Sequence, residues 1–338
     1  MPVTTYGDIS PRVAVYAEME FLRHVEPTLV LARFGQTKPL PRNRSQTLKF
    51  RRLVPYAAVT VPLQEGVTPS VSATTVEDVS VQIYQWGDVH GLTDVIQDTH
   101  EDPMLKEMMA ESGNQAGRTI EQVLYGVLKG GTSVYYANGA SRGAVNTAIS
   151  LNKVRAVTRY LMSQKARKIT KVVSASTNIG TSAVEAAYVA VCHTDLAPDI
   201  RNMTGFVPVA KYGSMKPICP EELGVVEDVR FILSADLSSI PDVGGTPGSS
   251  VLSTSGSAAD VYPVLIFGED AFGSTPLKNS KDAQGASAAM TPTVLNPGTA
   301  SKSDPLGQRG YVGWKTWFNA VRLNETWMAR LEVAATAL

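Results

Sequence analysis

The spacing of apolar side chains predicts one long amphipathic helix in the first half of the chain. Apolar residues recur every three to four positions across this stretch. Asp102 is placed to cap the helix, and Pro103 suits its first turn because proline lacks the N–H that would go unpaired there. Gly130 and Gly131 end the pattern. We predict a helix over Pro103–Lys129, about 40 Å long at about 1.5 Å per residue.

An alternating pattern on the N-terminal side of this helix predicts two strands. They cover Thr47–Val54 and Val76–Trp86, and the segment 55–75 between them carries Pro and Gly turn signals. Such strands would form an extended hairpin. A hairpin of two strands is only marginally stable in water, so we expect it to need a partner surface.

The remaining pattern predicts shorter elements and one polar loop. The loop Pro241–Asp260 is rich in Gly, Ser and Thr and has few apolar anchors, so we expect it to be exposed and mobile. The other predicted elements are helices within Val13–Val25, over Leu151–Arg167 with Ser150 as cap, and over Pro198–Met203, and strands over Ala186–Cys192, Val225–Leu233 and Val261–Gly268.

The C-terminal stretch Asp304–Leu338 is unusually aromatic. It holds three of the four Trp residues of the chain, and its apolar and polar residues alternate as in two strands joined near Asn324. A terminus of this kind has to be buried against something. Because side chains alternate along a strand, we expect Trp317 to point into the core and its neighbours to meet a loop or an adjacent chain. The predicted aromatic anchors are Trp314, Trp317, Phe318 and Trp327.

Three motifs carry a resemblance to a known family. They are DPLGQRGYVGWK at 304–315, AYVAVCHTDLAPDIR at 187–201 and IFGEDAFG at 266–273. Together they resemble the major capsid proteins of tailed bacteriophages, specifically the family of the coliphage N4 coat protein. The resemblance implies an α+β subunit with the tailed-phage major capsid fold.

The same resemblance implies an order of structural units along the chain. Residues 1–45 would be an N-terminal arm, 46–100 the extended hairpin loop and its strands, and 101–150 a peripheral domain with the long helix as its spine. Residues 151–303 would form mainly the axial domain with its Gly/Ser-rich loops, and 304–338 the strands that return to the body.

The function implied by the resemblance is self-assembly. Copies would form hexamers and pentamers of an icosahedral shell that encloses double-stranded DNA without reading its sequence. Scaffold, portal and decoration proteins would be further partners, and the protein would be made in the host bacterial cytoplasm and reside in the virion. One alternative is a cellular nanocompartment shell of the same fold that encloses protein cargo. Another is an enzyme whose site we do not recognise.

Composition agrees with a shell protein. Lys plus Arg and Asp plus Glu both number 31, so the net charge is zero, whereas a dedicated nucleic-acid binder is usually basic. Near-neutrality also favours packing against identical copies. The sequence has no apolar run of membrane-spanning length and no signal-peptide pattern, and it carries no phosphate-binding or nucleophile motif, so we expect no membrane association, no cofactor and no catalysis.

The run from Arg33 to Arg52 is basic and contains no acidic residue. It could pair with acidic surface on the next subunit, contact enclosed DNA through phosphates, or form a solvated face, and contact between subunits is favoured. The candidate contact residues are Arg42, Arg44, Lys49, Arg51 and Arg52. Lys49 with Asn319 or Asn324 would also suit a Lys–Asn isopeptide bond between subunits.

Other titratable residues favour structural roles. The segment His90–His100 has the residue types of a metal site, but a polar junction between hairpin and helix is favoured. His193 and Asp195 are expected in a hydrogen-bonded turn. Cys192 and Cys219 are expected to be reduced thiols.

Overall fold

The computed structural model describes residues 29–41, 43–63, 65–66, 68, 71–99, 104–174, 180–212, 217–248, 250–277, 290–298 and 304–338. Over these ranges the chain has a mixed α+β fold, with two sheets and a separate hairpin. The helix predicted within Val13–Val25 lies outside the described residues, as do Arg42, His100 and the proposed capping pair Asp102 and Pro103.

Four α-helices and fifteen strands are defined over the described ranges, besides short 3-10 turns. The helices are α1 (Asp94–Thr99), α2 (Met104–Lys129), α3 (Leu151–Ser163) and α4 (Ala197–Arg201). The strands are β1 (Gln36–Thr37), β2 (Thr47–Leu53), β3 (Val76–Gln82), β4 (Tyr84–Thr93), β5 (Val134–Tyr136), β6 (Ile169–Ser174), β7 (Gly180–Cys192), β8 (Phe206–Pro208), β9 (Glu222–Val226), β10 (Val229–Leu233), β11 (Tyr262–Phe267), β12 (Phe272–Pro276), β13 (Met290–Leu295), β14 (Arg309–Arg322) and β15 (Met328–Val333).

The long strand β14 organises the first sheet. β4 pairs antiparallel along one of its edges, and β12 and β13 pair one after the other along the opposite edge. β1 adds to β12 in parallel. The two predicted C-terminal strands are confirmed, but they enter different sheets, because β15 pairs with β11 and β5 in the second sheet.

The second sheet has the order β5-β15-β11-β7-β10-β9-β8, with β6 paired to the first half of β7. Both of its faces are covered, which explains why β11 reads as an unbroken apolar run. Val189 and Val191 of β7 face one core, while Tyr188, Ala190 and Cys192 face the other.

The long helix α2 was predicted almost residue for residue. Its buried stripe includes Ala116, Ile120, Leu124 and Leu128, and it packs against β14. Helix α3 lies over the other core through Val154, Val157 and Leu161. No helix within the described ranges is both long and apolar enough to cross a membrane.

Two shorter predictions were wrong in extent. α3 ends at Ser163 and not at Arg167, because Lys165 adopts a left-handed conformation with φ of 55°. The strand predicted over Val225–Leu233 is the end of β9, a tight turn at Glu227 with φ of 51°, and then β10. A short polar turn between two apolar runs was the signal for this hairpin.

The Gly/Ser-rich loop Pro241–Asp260 does not match the exposed, unanchored loop that we expected. The Asp242 carboxylate accepts hydrogen bonds from the backbone and hydroxyl of Ser255, at 3.0 and 2.8 Å. Asp260 is buried and accepts from Asp242 N and Thr254. A Cβ on Gly244 would lie 2.4 Å from the Val145 carbonyl oxygen, so the loop is packed closely onto the body. Short polar side chains that bond to nearby backbone replace the missing apolar anchors.

Candidate inter-subunit surface

The predicted hairpin is confirmed as the antiparallel pair β2–β3. Its register runs from Thr47 opposite Gln82 to Leu53 opposite Val76. The base is fixed to the body, because Phe50 is buried and a Cβ on Gly273 would lie only 3.2 Å from both the Phe50 ring and Leu323. The strand predicted over Val76–Trp86 breaks at Ile83, where the chain leaves the hairpin and enters the first sheet as β4.

The far end of the hairpin exposes apolar side chains. Of the 16 large hydrophobic side chains that are exposed in the described residues, seven lie between Leu53 and Val76. Val59, Leu63 and Val71 retain 88, 77 and 98% of their accessible surface. The segment 54–75 contains only one charged residue, Glu65. We call residues 54–75 the hairpin tip. A concentrated apolar surface of this kind marks an interaction site.

The base of the hairpin is less basic than the sequence suggested. Arg51 lies opposite Asp78 across the two strands and donates to its carboxylate at 2.8 and 3.0 Å. Arg52 pairs in the same way with Glu77, at 2.8 Å. The hydrogen bond from Arg51 also holds the pKa of the Asp78 carboxyl below its usual range. Within the subunit, β3 therefore supplies acids to Arg51 and Arg52 at the matching register. Contact of these two arginines with a neighbouring subunit stays a prediction.

Two candidate cations keep no ion pair within the described part of the chain. Lys49 is exposed opposite Ser80. Arg44 lines a shallow hollow of about 400 Å³ together with Ile83, Leu277 and Trp317.

The two asparagines proposed for an isopeptide bond are hydrogen bonded within the subunit. The Asn319 amide donates to the Gln82 carbonyl at 2.6 Å. The Asn324 side chain accepts from Thr326 N at 3.2 Å. A bond from Lys49 to either of them stays a prediction.

The aromatic anchors face the opposite way from our expectation. Trp314 and Phe318 are buried at 3 and 5% exposure and belong to the core beneath α2. Trp317 lies on the other face of β14 and lines the hollow near Arg44. The sequence already indicated that Trp317 faces away from the core, because the polar residues Lys315 and Asn319 share its face of the strand. Trp327 is half-buried after the turn and donates to the Gln164 carbonyl at 3.1 Å.

Gln115 ties the long helix to two strands of the first sheet. Its side-chain oxygen lies 3.1 Å from Trp314 Nε1 and 3.1 Å from His90 Nε2. Its amide donates to the Asp88 carboxylate at 2.6 Å, and this bond lowers the pKa of Asp88. His90 therefore lies at a polar junction between β4 and α2. Within the described residues no group of three His, Cys, Asp or Glu side chains is arranged to hold a metal ion.

Buried Glu121 joins α2 to the segment that precedes β1. Its carboxylate is fully buried and accepts hydrogen bonds from Leu31 N at 2.8 Å and Val30 N at 3.3 Å. Burial raises the pKa of Glu121 to about 7, against the opposing effect of these two N–H groups. Sequence reasoning missed this contact, because an acid within an amphipathic helix usually faces solvent.

His193 and Asp195 form the predicted hydrogen-bonded turn. His193 Nδ1 accepts from Asp195 N at 3.1 Å, and Tyr262 donates to Asp195 at 2.8 Å. Both cysteines are free and buried, and burial raises the pKa of Cys192 and of Cys219 to about 12, which keeps these thiols unreactive.

The fold of the chain is similar to the folds of several solved shell proteins. The capsid of Ralstonia phage GP4 superposes with a TM-score of 0.68 at 13% identity, over 92% of each chain. The capsid of cyanophage Pam1 does so with a TM-score of 0.60 at 12% identity, over 93% of each chain. A more distant likeness, with a TM-score of 0.51 at 10% identity over 99% of this chain and 91% of the other, is to the holo-SrpI encapsulin complex from Synechococcus elongatus PCC 7942.

Sequence comparison identifies the protein family. The chain belongs to the phage capsid protein family, whose sequence model matches residues 76–275, more than half of its length. It is 19% identical over 253 residues to the major capsid protein of Pseudomonas phage KPP21, and the match covers 72% of this chain and 63% of that relative's length. The family and the proteins of similar structure are structural capsid proteins, not enzymes. The narrower resemblance to the coliphage N4 coat protein stays a prediction.

Proposed function

We propose that copies of this protein assemble into the hexamers and pentamers of an icosahedral shell around double-stranded DNA, as the major coat protein of a phage. The observation that carries the proposal is the hairpin tip, an apolar segment that extends beyond the core of its own subunit. In this proposal scaffold, portal and decoration proteins are additional partners, and the chain is made in the host bacterial cytoplasm.

The exposed tip gives assembly a driving force. Fully burying one Val or Leu side chain contributes about 1.5–3 kcal/mol. Val59, Val61 and Leu63 alone would therefore contribute several kcal/mol per subunit once a neighbouring copy covers them. Assembly also orders the hairpin tip, and the entropy lost in this ordering opposes association once per subunit.

Lys49 and Arg44 are the cations that we assign to contacts with neighbouring subunits. Arg51 and Arg52 already have acidic partners in β3, so reversing their charge would first disturb the hairpin itself. Because exposed ion pairs are worth only about 0–1 kcal/mol each, we expect these cations to set register more than affinity.

The experiment replaces Val59, Val61 and Leu63 by Ser. We expect the subunit to unfold in urea with an unchanged midpoint, because all three side chains are exposed in the subunit, and we expect particle formation to be lost. A control variant carries Ile at the same three positions and should form particles. Normal particle yield from the Ser variant would contradict the proposal.

A second candidate function is a nanocompartment shell. The likeness to an encapsulin favours it, and that likeness concerns the fold alone. The contents of purified particles separate the two candidates. Nuclease-protected nucleic acid supports the phage shell, and a co-purifying protein without nucleic acid supports the compartment.

A further inference from the structure

One segment of this neutral chain is strongly basic. Residues 122–184 contain nine Lys or Arg and no Asp or Glu. At the chain's average frequency of 31 acidic residues in 338, a stretch of this length would hold about six. The segment includes α3 and the turn that follows it, and it lies outside the basic run of the hairpin base.

Part of this charge is neutralised by acids from elsewhere in the chain. Arg155 forms a two-pronged pair with Glu227, with Nε at 2.9 Å from Oε1. Lys168 lies 2.8 Å from the Asp228 carboxylate. The turn between β9 and β10 thus supplies acids to only two of the basic residues of this surface.

Four cations of the same segment form no ion pair with a described residue. Arg159, Lys165 and Arg167 are exposed, and Lys153 is partly exposed in the first turn of α3. We call these four residues the α3 basic face. The stripe Val154, Val157 and Leu161 fixes the opposite side of α3 in the core, so Arg159 is held toward solvent.

The helix dipole does not explain the positions of all four positive charges in the α3 basic face. Cations near a helix C-terminus are stabilising, which would explain Lys165 and Arg167. Lys153, however, lies in the first turn, where positive charge opposes the dipole. At the far end of the face, the backbone N–H of Glu269 donates to the Arg167 carbonyl at 2.9 Å, and no ion pair joins the two side chains.

We propose that the α3 basic face binds the phosphates of enclosed double-stranded DNA without reading its bases. The inference rests on the proposed function, because only a shell that packages DNA presents it to this surface. From Lys153 to the end of α3 at Ser163 the helix extends about 15 Å at about 1.5 Å per residue, and Lys165 and Arg167 follow directly. Duplex DNA carries about one charge per 1.7 Å of its axis, so one stretch of duplex offers phosphates to all four cations.

The test measures binding of a labelled 24-base-pair duplex to purified, unassembled full-length protein over a series of KCl concentrations. The test variant carries Gln at Arg159, Lys165 and Arg167. Each phosphate contact contributes about 0.9 to the slope of log affinity against log salt. We expect the slope of the variant to be shallower by about 2 to 3, with the same loss on duplexes of different sequence.

The control removes the same charge from other surfaces. It carries Gln at Lys106, Lys211 and Lys315, which are exposed and lie outside the basic segment. We expect its slope to equal that of the unaltered protein. Equal slopes for the test variant and the unaltered protein would overturn the proposal, as would an equal loss in the control or no duplex binding at all.

Sedimentation of the same preparations separates this proposal from the proposed function. If the test variant binds DNA normally but no longer assembles, the face is a contact between subunits and the DNA proposal fails. If no preparation forms particles but the slopes change as expected, shell formation fails and the phosphate contact stands.

Discussion

Replacing Glu121 by Gln should remove a pH dependence from the stability of the subunit. The Glu121 carboxylate is fully buried, and it accepts hydrogen bonds from the backbone N–H groups of Val30 and Leu31. Two charged side chains also act on it: Asp236 raises its pKa further, and Arg33 lowers it. Arg33 in turn pairs with Glu221 at 3.4 Å.

The size and sign of the effect follow from the pKa of Glu121. Burial raises that pKa from 4.5 to about 7, so the folded subunit binds this proton more tightly than the unfolded chain. The contribution to the free energy of unfolding is therefore fully present below pH 4.5 and is lost as the pH rises through about 7. At about 1.4 kcal/mol per pH unit, the loss is on the order of 3 kcal/mol.

The assay is urea unfolding of unassembled subunits at pH 5 and pH 8, for the unaltered protein and for Glu121→Gln. Gln keeps the shape but offers one acceptor to two N–H groups, so its free energy of unfolding is lower by an offset that does not depend on pH. Other titrating groups are common to both proteins and cancel in the comparison. We expect the unaltered protein to lose about 2 to 3 kcal/mol more than the variant between the two pH values. Parallel losses in the two proteins would refute the reasoning.

Two further predictions test the core. Trp314→Ala should lower the free energy of unfolding by about 3–5 kcal/mol, because it empties a core site. Trp317→Ala should lower it by less than about 1 kcal/mol, because this side chain lies on the other face of β14. Equal losses in urea unfolding would mean that the faces of β14 are assigned wrongly. Leu124→Pro should abolish soluble expression, because proline inside α2 costs about 3 kcal/mol or more. Lys129→Ala, at the end of the helix, should leave expression unchanged. Normal particle yield from the proline variant would show that α2 does not support the subunit.

Local signals explain which elements the sequence could predict. α2 has a regular apolar stripe and glycines at its C-terminal end, and both signals lie within the helix or next to it. The hairpin strands alternate around a tip that is rich in turn residues. The family motifs also predicted the capsid fold, which the structural likenesses confirm.

Several features that sequence reasoning missed depend on partners that are distant in the sequence. The pairing of Arg51 with Asp78 requires the register of β2 against β3, which spacing alone left open. The inward face of β14 is set by α2, and our choice of Trp317 ignored that Lys315 shares its face. Burial of Glu121 depends on the backbone of residues 30 and 31, whose course no periodicity predicts. The assignment of peripheral and axial units stays a prediction.

The most direct test of self-assembly is negative-stain microscopy of the purified full-length protein, with nuclease-protected nucleic acid measured in the same fractions. We predict closed particles of uniform size, and protected double-stranded DNA when they are isolated from infected cells. A compact monomer at every salt and protein concentration, with no particle in any fraction, would contradict the account.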